Sequence, residues 1–280
     1  MTQITIIGCG LIGGSFAALV KKYKTNHRII GIGRRKEPLE NAVNMGLIDE
    51  YALDINPNKI AKSKYIILAT PISTILPLIE QLTKSIKQSL NIIDFSSVKS
   101  FLNHPIVTKS HHNIIPVHPM GGREVQGIEN ADSRVLEYCP LITFDKNNES
   151  EINKFFRSCS FNIISCSSYE EHDEWMAYVS HGPYLIANLI PILLSKQQNH
   201  NHLRSVIAGG FKDTTRVSGS SIEWGLDILE GNKVPLIHFL TKIEEVIQHL
   251  KQDLQNENFE QLKQTLSLAK QTRQLIVDDK

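Results

Sequence analysis

Residues 4–15 read Ile-Thr-Ile-Ile-Gly-Cys-Gly-Leu-Ile-Gly-Gly-Ser, and no other stretch restricts the fold as much. An apolar, β-branched run ends at Gly8. Gly10 and Gly13 complete the spacing G-x-G-x-x-G, and Phe16, Leu19 and Val20 then recur at helical intervals. The string predicts a buried parallel strand, a tight turn at Gly8 and a helix that opens near Leu11 and Ile12. Gly10 lets a pyrophosphate approach the backbone, and Gly13 lets the helix pack closely on the strand. The first N–H groups of a helix have no partner within it, so those of Leu11, Ile12 and Gly13 face the phosphates. A glycine triplet alone is weak evidence. Its place between a strand and a helix makes it a dinucleotide fingerprint.

The second β-rich run, Arg28 to Gly33, ends about 20 residues after the glycines, where a carboxylate would hold the ribose hydroxyls of NAD. Arg34 and Arg35 stand there instead, followed by Lys36. Guanidiniums grip a phosphate in bidentate fashion, so the pattern favours NADP over NAD. The alternative is a solvated basic turn.

Further β-rich runs at 64–69, 90–95, 113–118, 140–144 and 161–166 alternate with helical patterns. The alternation predicts an α/β fold, a Rossmann-type doubly wound parallel sheet over residues 1–166. From Ser167 onward the β-rich runs stop, and residues 167–280 read as an all-helical domain. Its first helix runs from Tyr169 through Leu189. Leu236, Leu240, Ile243, Ile247, Leu250 and Leu254 mark a long amphipathic helix. Asn256-Glu257-Asn258 should break it before a last helix through Leu262 and Leu266. A stripe of that length covers a core or a dimer interface.

A net charge of +1 leaves no electrostatic case for nucleic acid or an anionic membrane as partner. No apolar run approaches the roughly 20 residues of a membrane span. Cys9, Cys139, Cys159 and Cys166 lack C-x-x-C pairing and sit in or beside apolar runs, which reads as reduced core thiols. The chain opens on a strand, with no targeting segment before it. A cytoplasmic protein is expected.

Ligands of such sheets bind at the carboxyl ends of the strands. Asp94-Phe95-Ser96-Ser97-Val98-Lys99 follows the run at 90–95, and His118-Pro119-Met120-Gly121-Gly122 follows the run at 113–118. A His at that position suits proton transfer beside a hydride acceptor, although a backbone-satisfied histidine is the alternative. Ser97 could hydrogen-bond that His or a substrate hydroxyl, or could N-cap the helix that follows. Ser180-His181-Gly182-Pro183-Tyr184 interrupts the first long helix and brings His181 toward the cleft. Arg216, closing Gly210-Phe211-Lys212-Asp213-Thr214-Thr215-Arg216, could clamp a carboxylate or could pair with Asp213. No His, Cys or carboxylate spacing suggests a metal. A catalytic His with a cationic anchor points to an NAD(P)-dependent oxidoreductase.

These motifs together resemble the prephenate/arogenate dehydrogenases of tyrosine biosynthesis over nearly the whole chain. The matching segments are Gly8 to Ser15, Asp94 to Lys99, Val117-His118-Pro119-Met120 with Gly122 and Gly127, His172-Asp173, Ser180-His181 with Pro183, and Gly210 to Arg216. The resemblance implies oxidative decarboxylation of a cyclohexadienol, arogenate or prephenate. His118 would take the C4 hydroxyl proton, Ser97 would orient His118 and the hydroxyl, and Arg216 would anchor a substrate carboxylate. Thr70-Pro71 matches the family's loop against the cofactor. The resemblance also implies a homodimer through the helical domain. Tyr184 stands where many prephenate-using members have a second His, and Arg123 stands where small or neutral residues are usual. Tyr184 is thus the residue expected near the substrate side chain, and His181 is expected to bind the substrate in the same cleft. Competing readings are a β-hydroxyacid-dehydrogenase-type oxidoreductase, whose members use a catalytic Lys in the helical domain, and a non-enzymatic NADP-sensing module.

Overall fold

The computed structural model describes residues 2–147, 149–198 and 200–278. Eight strands form one sheet in the order β3-β2-β1-β4-β5-β6-β7-β8. They are β1 (Thr2–Ile7), β2 (His27–Ile32), β3 (Glu50–Ala52), β4 (Ser63–Leu68), β5 (Asn91–Asp94), β6 (Asn113–Pro119), β7 (Pro140–Thr143) and β8 (Asn162–Ser165). Neighbours from β3 to β6 pair in parallel. The central strands are buried on both faces, so they read as isoleucine runs rather than alternating patterns. Ile4, Ile6, Ile29 and Ile67 pack on one face, and Ile7, Ile30, Ile32 and Ile66 on the other. The first face also carries an aromatic cluster. Phe16, fully buried, meets Phe95 at 5.0 Å between ring centroids and Phe156 at 6.2 Å. Truncating a phenylalanine so placed costs about 3–5 kcal/mol.

The sheet is not parallel throughout, as the strand–helix alternation predicts. β7 runs antiparallel to β6, and β8 follows β7 in parallel. The reason is the connection between β6 and β7. It holds two single-turn helices, Ile128–Asn130 and Ser133–Val135, and no crossover helix. It brings the chain back to where β6 ends, with Met120 N–H donating to Pro140 O at 2.8 Å. A parallel strand would need a crossover to the other end of the sheet. The returning segment packs on helix α1 (Leu11–Tyr23), where Gly14 leaves room for Ile128 and Ala131.

Strands give way to helices after Ser165. By backbone contacts the chain falls into two compact units, Met1–Lys233 and Val234–Lys280. The helices Tyr169–Met176 and Ile222–Gly231 pack on the turns that follow β5 and β4. Asp173 accepts the backbone N–H groups of Lys99 and Ser100, and Asn103 bonds Glu170. The first helix is continuous where the sequence suggests an interruption. Tyr169–Met176 passes through a π turn, Ala177–His181, into Gly182–Ser195. Pro183 offers no N–H to the preceding turn and its ring crowds the carbonyl four residues back, which a wider turn relieves. The stretch Tyr169–Ser195 has the length and hydropathy of a membrane span, which the apolar-run count does not anticipate. Its first half carries fully buried His172, Asp173 and His181. Beyond it, Lys233–Gln255 and Phe259–Arg273 are the two long helices of the C-terminal unit. They are separated at Glu257, which takes φ 54°. Leu240, Ile247, Leu254 and Leu266 are exposed along them.

Candidate active site

The glycine turn has the geometry of a phosphate cradle. Gly8 takes φ +99°, and a side chain there would meet Ala69 O at 2.5 Å. Gly13 has no room for one either, since its Cβ would lie 2.1 Å from Gly8 O. Gly10, the N-cap of α1, is the opposite case: nothing lies within 4 Å of the position its Cβ would take. The gap lies at the start of a 13-residue helix with no acidic residue in its first turn. The N–H groups of Leu11, Ile12 and Gly13 therefore open onto space that suits an anion. Thr70 and Pro71 follow β4 beside this turn, with the Thr70 Cγ2 2.7 Å from the position a Gly8 Cβ would occupy. Arg34 and Arg35 leave β2 for helix α2 (Lys36–Asn44). Both are exposed, and among the described residues neither has an ion-pair partner. A nicotinamide dinucleotide fits this donor set.

His118 lies near the end of β6 and is 8% exposed. Its Nδ1 is 3.0 Å from His172 Nε2, and His172 Nδ1 is 2.7 Å from Asp173 Oδ1. Asp173 also accepts from Lys99 N and Ser100 N, at 2.8 Å each. The hydrogens in this chain follow from its carboxylate end. Burial pushes the Asp173 carboxyl up, but hydrogen bonds from His172 and Ser100 outweigh it and hold it below its ordinary value. An ionised carboxylate only accepts, so His172 Nδ1 carries a hydrogen and its Nε2 does not. His118 Nδ1 then donates to His172 Nε2, which leaves His118 Nε2 with a lone pair. Burial, then the nearby His172, Lys99 and His181, pushes the His118 pKa well below 6.5, so the ring is a neutral base.

The loop that supplies the Lys99 and Ser100 amides is braced by a buried ion pair. Lys99 and Asp94 are both fully buried. The Lys99 ammonium donates to the Asp94 carboxylate, to Asp94 O at 3.1 Å and to Ser96 Oγ at 3.2 Å. Burial pulls the Lys99 pKa down. Ser97 sits half-buried in the same loop. It does not hold His118, which His172 holds instead. It is not a helix cap either, because the next helical turn, Ser100–Asn103, starts after Lys99. Among the described residues its hydroxyl makes no hydrogen bond.

Arg216 does not pair with Asp213. Its Nη1 donates to Glu124 Oε2 at 2.7 Å, on the segment that follows His118. The guanidinium stays mostly exposed. His181 is fully buried and pushed down to about 4 by burial. Tyr184 is buried as well. Its ring stands edge-on to Trp224 at 5.1 Å, and its hydroxyl fills the space where Gly225 lacks a side chain. The helix Ile222–Gly231 thus forms its wall.

His172 and Asp173 belong to the motif set, yet the sequence gives them no role, and Asn232 is not singled out at all. In sequence they stand among Glu170, Glu171 and Glu174 and read as part of a charged first turn, so no local signal singles them out.

Two family models match in chain order: prephenate dehydrogenase, nucleotide-binding domain, over residues 16–158, and prephenate dehydrogenase, dimerization domain, over residues 168–268. The chain is 29% identical over 279 residues to the prephenate dehydrogenase of Bacillus subtilis (strain 168), covering 96% of this chain and 75% of that one. The arogenate dehydrogenase of Synechocystis is 26% identical with a TM-score of 0.79, over 99% of this chain and 100% of that one. The prephenate dehydrogenase from A. aeolicus, solved in complex with hydroxyphenyl propionate and NAD+, is 25% identical with a TM-score of 0.87, over 99% and 98%.

Proposed function

From the premise that this chain belongs to the prephenate dehydrogenase family, we propose that it oxidatively decarboxylates a cyclohexadienol, arogenate to tyrosine or prephenate to 4-hydroxyphenylpyruvate. The observation that carries this reading is the His118–His172–Asp173 chain, which leaves a neutral, unprotonated His118 Nε2 at the carboxyl end of β6. A bound nicotinamide dinucleotide supplies the hydride acceptor. His118 Nε2 takes the C4 hydroxyl proton as the carbon–hydrogen bond at C4 gives up its electron pair. The ring carboxylate leaves as CO₂, its bonding electrons pass through the ring to the C4 oxygen, which takes the proton back from His118, and the ring becomes aromatic. Aromatisation supplies much of the driving force, so the protein's task is positioning and proton acceptance.

Ser97, with an uncommitted hydroxyl, hydrogen-bonds the substrate hydroxyl. Arg216, tethered to Glu124, receives a substrate carboxylate. His181 and Tyr184 lie toward the substrate side chain. Gly8, Gly10, Leu11, Ile12, Gly13, Thr70 and Pro71 hold the cofactor, and Arg34 and Arg35 select NADP. The exposed leucines of the two long helices support a homodimer. Four free cysteines fit a cytoplasmic enzyme.

Prephenate and arogenate, each offered with NADP and with NAD, should produce the absorbance of the reduced nicotinamide. His118→Asn should lower kcat about 100-fold or more, the range of a lost general base, with cofactor affinity retained. Turnover that survives the substitution removes His118 from this role.

A further inference from the structure

We propose that Asn232 is a positioning residue that holds His181 as its Nε2–H tautomer, so that a buried neutral donor meets an oxygen of the bound substrate. The inference deepens the reading above, on which its substrate half rests. Asn232 ends the helix Ile222–Gly231 and is 1% exposed. Its Nδ2 donates to Asp173 O at 2.8 Å and lies 3.0 Å from His181 Nδ1. The amide orientation is fixed by the first contact. Reversed, the amide would set Oδ1 against the Asp173 carbonyl oxygen, acceptor against acceptor. Nδ2 therefore faces both groups and spends one hydrogen on each. His181 Nδ1 must accept, so the ring's hydrogen is on Nε2.

Among the described residues that buried N–H has no partner, and neither has Asn232 Oδ1. Buried polar groups are nearly always hydrogen-bonded, so an orphaned donor in a polar cluster marks a place for a ligand or a water. The other orphaned side-chain atoms lie elsewhere: His27 and His112 at the amino ends of β2 and β6, and Asn153 on the helix Glu151–Arg157. His181 alone among these histidines is close enough to His118 for its charge to be felt there. It is presented by the π turn that Pro183 imposes, and such turns recur at functional sites. Burial pushes the ring to about 4, so it serves as a neutral donor and not as a cation. A neutral N–H suits a carboxylate or keto oxygen of the substrate.

The test begins without substrate or cofactor. In ¹⁵N-histidine-labelled wild-type protein near neutral pH, His181 should show an unprotonated Nδ1 and a protonated Nε2. The reverse tautomer, or a charged ring, overturns the proposal even if the enzyme turns over both substrates. Asn232→Ala should mix the tautomers and raise the KM for the cyclohexadienol about tenfold. Its kcat and the KM for the cofactor should stay within about threefold, the signature of lost uniform binding. His181→Gln, which keeps a donor, should retain more affinity than His181→Ala. Equal affinity in those two variants, or an unchanged substrate KM in Asn232→Ala with the tautomers mixed, overturns the substrate half. Failure of wild-type turnover would count against the proposed reaction and leave the tautomer result standing or falling by itself.

Discussion

Asp173→Asn is the sharpest test of how His118 is prepared. The carboxylate accepts three N–H groups: His172 Nδ1 and Lys99 N at one oxygen, and Ser100 N at the other. An amide has one acceptor and one donor on the same frame. With its NH₂ toward Ser100, it leaves that N–H unmet and offers His172 a neutral bond where there was a charge-assisted one. With its NH₂ toward His172, it clashes with Lys99 N–H and reverses every hydrogen in the chain, which puts a hydrogen on His118 Nε2 and blocks the base. Neutral hydrogen bonds contribute about 0.5–1.5 kcal/mol and charged ones about 1.5–3. The first orientation thus loses about 1–2 kcal/mol from the relay, and the second removes the base outright. A mixture of the two should lower kcat about 30- to 200-fold, or roughly 2–3 kcal/mol of barrier. The orphaned amide should reduce folding stability by about 1–3 kcal/mol. The assay is initial-rate absorbance of the reduced nicotinamide with saturating cofactor, paired with urea unfolding. A kcat within about threefold of wild type, alongside the stability loss, would refute the relay and leave Asp173 a clamp on the Lys99 loop.

Acid should destabilise the fold ahead of carboxylate titration. Burial lowers the pKa values of His118, His172 and His181 from 6.5 in the folded protein, so the unfolded state binds more protons as pH falls. Stability is then full above about pH 6.5 and declines below it, by a little over 1 kcal/mol per pH unit for each ring still neutral when folded; a flat unfolding free energy between about pH 7 and 5 would contradict this. Arg34→Asp should move the kcat/KM ratio from NADP toward NAD, by the roughly 1.5–3 kcal/mol of a charge-assisted contact. A wild-type preference for NAD, or an unchanged ratio, rejects the role of Arg34 and Arg35.

The glycine turn is legible in the sequence because everything it needs lies within a dozen residues: the β-branched run, the spacing and the helix start. The central strands are legible because burial on both faces demands unbroken isoleucine runs. β3 is not, since Glu50-Tyr51-Ala52 is a half-buried edge of three residues with no apolar signature. The direction of β7 is not legible either. Propensity reports extended backbone and says nothing of its sense, which the Met120–Pro140 return decides. The same divide runs through the site. His118 can be singled out because it ends a strand run and precedes Pro and glycines. Its partner His172 lies 54 residues away, and Lys99 reaches Asp173 across 74. Those pairings exist only once the helix Tyr169–Met176 packs on the strand ends. Arg216 shows the limit from the other side: Asp213, three residues away, is the partner that helical spacing suggests, yet the ion pair forms with Glu124, 92 residues away in sequence.

On the proposed reading, substrate choice is expected to turn on Tyr184. Prephenate and arogenate share the ring, its carboxylate and the C4 hydroxyl, so the roles proposed for His118, Ser97 and Arg216 do not distinguish them. They differ in a keto or an ammonium group on the side chain. A second imidazole at position 184 would suit a keto acid, and as a cation it would repel an ammonium. A phenol is neutral and can accept a hydrogen bond from –NH₃⁺. Arg123 is exposed near Glu124 and pulls the other way, toward the dianionic substrate. Its charge is screened by water and partly balanced by Glu124, whereas Tyr184 sits buried at the Trp224 wall. The buried group should dominate, since electrostatic and hydrogen-bond differences grow as solvent is excluded. The enzyme is therefore expected to use arogenate at least as well as prephenate. A kcat/KM more than tenfold higher for prephenate, about 1.4 kcal/mol, would sink that expectation. Tyr184→His should shift the ratio toward prephenate. Gly225→Ala supplies an independent check: a methyl there would come within 2.3 Å of the Tyr184 hydroxyl and displace it. If Tyr184 reads the side chain, that one methyl on the neighbouring helix should also change the arogenate-to-prephenate ratio. A ratio untouched by both substitutions would move side-chain recognition away from this wall.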